Sequence, residues 1–358
     1  MPIMTLVNED SGTSPSVGVD RARKLVNTDQ VAAIVGALSS GVTVSVAQSV
    51  TIPSGVVLVS PASTSPLLTA LQDNDFVFRT TPSDALQGVV AGRLAAGKVR
   101  PDYKFATASI IYVNNPYGQG LADTFEKVFE ENGGKVLAKV AHPEEPQPTY
   151  SAQLSKALAG NPDLLMAISY PGQATVYLPE SRDIFGFTSW QFVDGTKSEE
   201  IIKAVGAETL AGDLGTAAGA DPSQPGPEAF SAAYQQAYGE LPPLPYIDTG
   251  YDATAVIGLA IAKAIAEGKS PSDVTSEDIR DNLRDVANAP GEVVGVGDFN
   301  KALQLLKDGK DINFAGAAGD VNFDDNGDVI TPIEIWQYTA DGTIETVEIR
   351  TPDQILGQ

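Results

Sequence analysis

The segment IIYVNNPYGQGLADTFEKVFEENGGKV, residues 110–136, decides the fold class. Its opening residues continue an apolar run begun at Ala108 and stop at Asn114-Asn115-Pro116, a turn signal that ends a strand. Beyond the proline, Leu121, Phe125, Val128 and Phe129 fall at i, i+4, i+7 and i+8, one face of a helix. Asn132-Gly133-Gly134 closes that helix in the manner of a C-cap, and a second strand opens at Lys135. Strand, turn, helix and strand in this order make the βαβ unit of a parallel sheet.

The same alternation spreads outward in both directions. Upstream, strands are predicted over 3–7, 31–35 and 56–59, with helices over 18–26, from Ser40, and from Pro82 to about Ala96. Downstream, strands follow over 135–140, 164–169 and 191–193, and the proline-rich 143–148 reads as a surface loop. From Pro227 helices dominate, over 229–238, 249–266 and 276–286. Strand-like runs at 321–323 and 333–338 end the pattern, joined by the turn Asp324-Asp325-Asn326-Gly327-Asp328.

A chain of 358 residues is long for one α/β core and suits two lobes of roughly 150 each. Hydrophobic residues make up 42% and charged residues 19%, enough apolar material for both interiors. Cysteine is absent, which excludes disulfides and thiol chemistry and leaves the compartment open. Acidic residues outnumber basic ones 46 to 23, a formal net charge of −23, and such a surface repels nucleic acid and anionic lipid. No apolar run approaches the ~20 residues that span a bilayer. The opening Met1-Pro2-Ile3-Met4 lacks the basic and apolar regions of an export signal.

Catalytic and cofactor motifs fail one by one. His142 stands alone among 358 residues, and its setting, Ala141-His142-Pro143-Glu144, predicts an exposed loop histidine with no nucleophile beside it. No G-x-S-x-G elbow occurs. Gly268-Lys269-Ser270 imitates a phosphate-binding loop, but Lys263 occupies the upstream glycine position. Gly295-Val296-Gly297 lacks the third glycine of a dinucleotide fingerprint. Asp324, Asn326 and Gly327 fit part of a calcium loop whose last position would be Ile333 instead of glutamate, so a β-turn is the reading. No catalytic, metal or cofactor constellation survives, and none is expected.

Polar groups collect where open α/β sheets bind ligands, at the C-terminal ends of strands. Gly36-Ala37-Leu38-Ser39-Ser40-Gly41 follows one strand, and Ser60-Pro61-Ala62-Ser63-Thr64-Ser65-Pro66 follows the next. Asn115-Pro116-Tyr117-Gly118, Ser169-Tyr170-Pro171-Gly172 and Asp194-Gly195 end strands of the second series. Each alone is met by helix capping or packing. Their order over two series argues for one shared cleft.

These stretches also carry a resemblance. AAIVGALSSGVTVSVAQSV, GVVLVSPASTSPLLT and FRTTPSDALQG resemble the first lobe of the branched-chain amino-acid-binding proteins of ABC transporters. The 110–136 segment and FVDGTKSEEI resemble the second lobe, and YDATAVIGLAIAKAI and GDVNFDDNGDV the family's later helices and last strands. The resemblance implies a type I periplasmic-binding fold, two mostly parallel lobes flanked by helices, joined by three crossovers and closing by a hinge. The lobes are expected at 1–104 with 222–316 and at 105–221 with 317–350, followed by a tail over 351–358.

Carried over motif by motif, Ser40 and Thr64, with Ser39 beside them and the backbone of Ala62 and Ser63, would hold a ligand's α-carboxylate and part of its ammonium. Asp194 would pair with its α-ammonium, and Tyr117 would close over it. Tyr170 or Ser169 would face it from the neighbouring loop. The implied ligand is an amino acid, probed first as aliphatic or branched-chain, or a similar small polar solute. The implied partner is a membrane permease, the implied place periplasmic or extracellular, the implied state a monomer. A sensory receptor lobe, or a relative that binds amides, urea or aromatic acids, is the alternative within the fold. Measured against that family the chain opens at what reads as its second strand, so a first strand–loop–helix unit is expected to be encoded upstream of Met1.

Overall fold

The computed structural model describes residues 4–221, 223–242 and 244–357. The chain divides into two compact units, Met1–Ser83 with Ala220–Thr331 and Asp84–Gly219 with Pro332–Gln358, so the polypeptide passes between them three times.

The first unit is built on three parallel strands, Ala33–Val35, Val57–Ser60 and Val77–Arg79, paired Ala33 to Val57 and Leu58 to Val77. The middle strand is buried throughout, as an apolar run covered on both faces must be. Alternation along the strand sorts its side chains between two layers. Val57 and Val59 join Phe76 and Phe78 in a core with helices Ile247–Ala266 and Ser276–Ala287. Leu58 and Val77 meet Ala22, Val42 and Val46 from helices Pro15–Asn27 and Ser40–Val46. A second parallel pair, Glu292–Val294 with Ile312–Phe314, adds Val294, Ile312 and Phe314 to the first core.

Two strands expected from sequence do not form here. Of 3–7, Ile3 lies outside the described residues, and residues 4–7 pair with no strand, leaving Leu6 and Val7 exposed. A strand exists only through its partner. At 321–323 the apolar side chains are buried, but a side chain substitutes for the ladder: Asn288 accepts the Phe323 N–H at 2.9 Å and donates to its carbonyl at 2.7 Å.

In the second unit four parallel strands run in the order Lys135–His142, Thr107–Val113, Leu164–Ile168 and Trp190–Gln191. Ile110 and Met166 face one core, and Ile111, Leu165 and Ala167 face the other. An antiparallel sheet of Ile344–Arg350, Ile333–Tyr338 and Leu214–Ala218 completes the unit.

The unit boundaries differ from those expected of the lobes. Helix Asp84–Ala95 packs on helix Pro116–Glu131, where a Cβ on Gly88 would lie 2.6 Å from that of Thr124 and one on Gly92 2.9 Å from that of Val128. Two glycines one turn apart thus draw residues 84–104 into the second unit. Residues 317–331 go with the first, because Asp252 accepts the N–H groups of Ala317 and Ala318 at 2.6 and 3.0 Å. The C-terminal residues are no separate tail either: Ile355, from helix Pro352–Leu356, is buried with Val90 and Leu94. Among the described residues no helix is long and apolar enough to cross a membrane.

Candidate functional site

Two neighbouring loops form a polar centre in the first unit. Residues 36–41 follow Ala33–Val35, and residues 61–66 follow Val57–Ser60. Hydroxyls knit them together. Ser60 Oγ donates to Ala37 O at 2.7 Å, and Ser63 Oγ lies 3.1 Å from both Ala37 O and Leu38 O and 2.7 Å from Thr43 Oγ1. Ser40 Oγ accepts the Ser65 N–H at 3.2 Å. Ser63 also gives its backbone N–H to Ser60 Oγ at 3.0 Å, so both of its donors are engaged by the scaffold. Ser39 caps helix Ser40–Val46 without a side-chain bond, and its buried Oγ has no hydrogen-bond partner among the described residues. Thr64 lies in the same loop at 1% exposure, with Ala62 buried beside it. This centre offers hydroxyls and amides, the groups that hold a carboxylate.

The second unit gathers the complementary chemistry. Asp194 opens a 3-10 turn shortly after strand Trp190–Gln191 and is 7% exposed. Its Oδ1 accepts from Tyr117 OH at 2.8 Å and from Gln87 Nε2 at 2.9 Å. Tyr117 and Tyr170 stack, ring centroids 5.4 Å apart at 14°. Asn115 fixes both loops: its Oδ1 caps Gly118 N–H at 3.0 Å, while its Nδ2 donates to Tyr170 OH at 3.2 Å and to Glu144 Oε1 at 2.8 Å. A buried carboxylate bonded to one member of a tyrosine stack suits a cationic group.

Gly195 is required for this arrangement. A Cβ there would lie 2.5 Å from Ser169 O and 2.9 Å from Tyr117 OH, and the first of these is backbone. We expect Gly195→Ala to displace Tyr117 and the Ser169 carbonyl, to lower ligand-free stability by about 1–3 kcal/mol and to weaken ligand binding about tenfold, read by thermal melting and calorimetry. An unaltered affinity would remove Tyr117 from the site.

Two residues are placed differently from their sequence reading. His142 is no exposed loop residue: strand Lys135–His142 runs two residues beyond the predicted end and leaves it 1% exposed. Its Nδ1 lies 2.8 Å from Pro143 O, which can only accept, so Nδ1 carries the proton and Nε2 is the acceptor. Nε2 lies 2.6 Å from Ser169 Oγ, which receives Tyr177 OH at 3.1 Å. The chain Tyr177, Ser169, His142, Pro143 O is therefore satisfied with a neutral imidazole. Burial lowers the histidine pKa and keeps it so, against the opposing backbone bond. Ser169 thus spends its proton inward, and of the two residues offered for that loop Tyr170 is the one joined to Tyr117. The Ser–His contact is sealed in the interior and lacks the exposed nucleophile of a hydrolase.

The sequence profile of the periplasmic binding protein family matches residues 4–342. The chain belongs to that family. Its relatives include the chemotactic signal transduction system substrate-binding protein BasB of Halobacterium salinarum, 29% identical over 359 residues, 96% of this chain and 78% of the relative. Leu/Ile/Val-binding protein homolog 1 of Brucella abortus is 28% identical over 345 residues, 95% of this chain and 81% of its own. Among solved structures, the leucine binding protein LivK of Thermotoga maritima matches with a TM-score of 0.79 and 26% identity, covering 98% of this chain and 88% of that one. The type I periplasmic-binding fold expected from the resemblance is the fold this protein has.

Sequence reading passed over two residues of the candidate site. Gln87 donates to Asp194 and, at 3.1 Å, to Thr216 O, and Asn115 links the two tyrosine loops. Gln87 lies within FRTTPSDALQG, where only its place in a motif could have marked it. Asn115 follows a strand and precedes a proline, so it read simply as a turn.

Proposed function

We propose that this periplasmic binding protein captures an amino acid with an aliphatic side chain outside the cytoplasm and delivers it to an ABC permease. The observation that carries the reading is the opposite chemistry of the two units: the Ser40 hydroxyl and the buried Thr64 in one, held in a loop whose Ser63 and Ser65 N–H groups are taken up by the scaffold, and the Asp194 carboxylate with Tyr117 and Tyr170 in the other. A zwitterion needs both, donors for its carboxylate and an anion for its ammonium. The ligand engages the first unit, and the second closes on it through the three connections, a hinge mechanism in which binding selects the closed state. The Leu/Ile/Val and leucine binding relatives support the choice of ligand class. The protein acts as a monomer, without catalysis and without nucleic acid.

One observation favours a second reading that differs only in the partner. The Halobacterium relative is named for chemotactic signalling, and a sensory transducer would use the same ligand chemistry.

Differential scanning fluorimetry against the amino acids tests the proposal. Leucine, isoleucine or valine at a hundredfold excess over Kd should stabilise the protein by about 2.7 kcal/mol, a shift of a few degrees. No stabilisation by any amino acid, or turnover of one, would overturn it.

A further inference from the structure

The turn at 324–328 is tied to the ligand loop of its own unit by a buried charge pair. Arg79 ends strand Val77–Arg79 and is 1% exposed. Its Nη2 donates to Asp328 Oδ2 at 2.6 Å and to Thr69 Oγ1 at 2.8 Å, and Thr69 Oγ1 donates to the same aspartate oxygen at 2.6 Å. Its Nη1 reaches Ser65 O at 2.9 Å and Ser63 O at 3.3 Å. Nε–H finds no acceptor among the described residues, so the two terminal nitrogens carry the whole attachment.

The turn is shaped to deliver Asp328. Asp324 Oδ1 accepts the N–H groups of Asn326 and Asp328 at 2.8 and 3.0 Å. Gly327 takes a φ of +73° and presses on strand Val77–Arg79, where a Cβ would lie 2.5 Å from Val77 O, and its carbonyl accepts the Arg79 N–H at 2.9 Å. A residue with a side chain would be excluded twice, by conformation and by space.

We propose that Arg79 is a positioning residue for ligand binding, with Asp328 as its counter-ion, and that the Asp-Asp-Asn-Gly-Asp turn exists to complete that clamp. The inference rests on the reading of residues 62–64 as the carboxylate-binding loop. Ser63 C=O and Thr64 N–H belong to one planar peptide and point in opposite directions. A guanidinium that holds Ser63 O from behind therefore turns the Thr64 N–H away from itself, and its second bond fixes the next carbonyl but one. Packing alone does not call for a charge here, since an apolar side chain fills such a position without the cost of desolvating a guanidinium.

That contrast supplies the experiment. The double variant Arg79→Met/Asp328→Leu removes both charges and leaves neither partner unpaired, so the fold survives if packing is all the pair contributes. Arg79→Lys retains the charge but not the fork. Two readouts are taken: amide hydrogen exchange of the ligand-free protein, and calorimetry with L-leucine. In the double variant the Ala62–Ser65 amides should lose about tenfold or more of their protection, while those of Val57–Ser60 keep theirs, and the leucine Kd should rise by about tenfold or more. Arg79→Lys should fall between. Wild-type exchange at Ala62–Ser65 in the folded double variant overturns the clamp. Lost protection with unchanged leucine affinity reduces Arg79 to a structural residue and overturns its positioning role. Thr64→Val is the control for the underlying reading: if it binds leucine as wild type does, the carboxylate assignment fails, and the exchange result still judges the clamp. Should the double variant not fold, Thr69→Val removes one bond from each member of the pair and is read by the same two measurements.

Discussion

Alanine at position 194 should weaken binding of the cognate amino acid by about 2–5 kcal/mol while leaving the ligand-free protein close to wild-type stability. The size follows from what the carboxylate does for its neighbours as well as for the ligand. Tyr117 OH and Gln87 Nε2 both donate to Oδ1, so its removal takes one hydrogen bond from each just as the ligand's ammonium loses its counter-charge. Gln87 is less affected, because Thr216 O lies 3.1 Å from the same nitrogen. The ligand-free fold is spared because Asp194 occupies a short 3-10 turn and not the sheet itself. Asp194→Asn separates the two contributions: the shape and the acceptor for Tyr117 remain, the charge goes, and most of the affinity should go with it. Titration calorimetry that finds the alanine variant binding as tightly as wild type removes Asp194 from the ammonium site.

The fold was legible where period and punctuation agree. The run 108–113 is largely apolar, stops at Asn114-Asn115-Pro116 and is followed by helical spacing, and the structure has its strand and helix there. The same holds for the buried strand Val57–Ser60 and the helix Ile247–Ala266. What sequence could not show are features that depend on a distant partner. Residues 4–7 have strand composition and no strand beside them, and 321–323 have it too but are bonded by the side chain of Asn288. Helix Asp84–Ala95 follows the first series in the chain, yet Gly88 and Gly92 commit it to the second unit, a choice invisible without knowing what faces those glycines. His142 looked like a loop residue because Pro143 follows it. Its burial depends on Ser169 and Tyr177, which sequence leaves 27 and 35 residues away. Loop composition marked residues 62–65, Tyr117 and Asp194 as polar strand ends, but not Arg79, because the three-residue strand Val77–Arg79 that it ends is too short to stand out in the sequence.

Thr64 tests the other end of the ligand and the order in which the units engage it. Valine has nearly the shape of threonine, so Thr64→Val removes a hydroxyl at a 1% exposed position without opening a cavity. If that hydroxyl donates to the ligand's carboxylate, its loss leaves a desolvated anion short of a hydrogen bond, a charged-group deficit of about 1.5–3 kcal/mol before any further cost of an apolar methyl against the charge. Binding in the first unit comes first in the proposed mechanism, so that deficit should appear mainly as failure to form a detectable complex. Tyr117 belongs to the unit that closes. Tyr117→Phe keeps the stack on Tyr170 and removes the hydroxyl that donates to Asp194 and accepts the Gly195 N–H at 3.3 Å, and Tyr117→Ala removes the stack as well. Each should leave initial capture intact and chiefly speed dissociation, alanine more than phenylalanine. Stopped-flow fluorescence resolves the two classes, since a capture defect lowers the amplitude or the association rate and a closure defect raises the dissociation rate. Fast dissociation from Thr64→Val together with lost capture in Tyr117→Ala would reverse the assignment of the opening contact to the first unit.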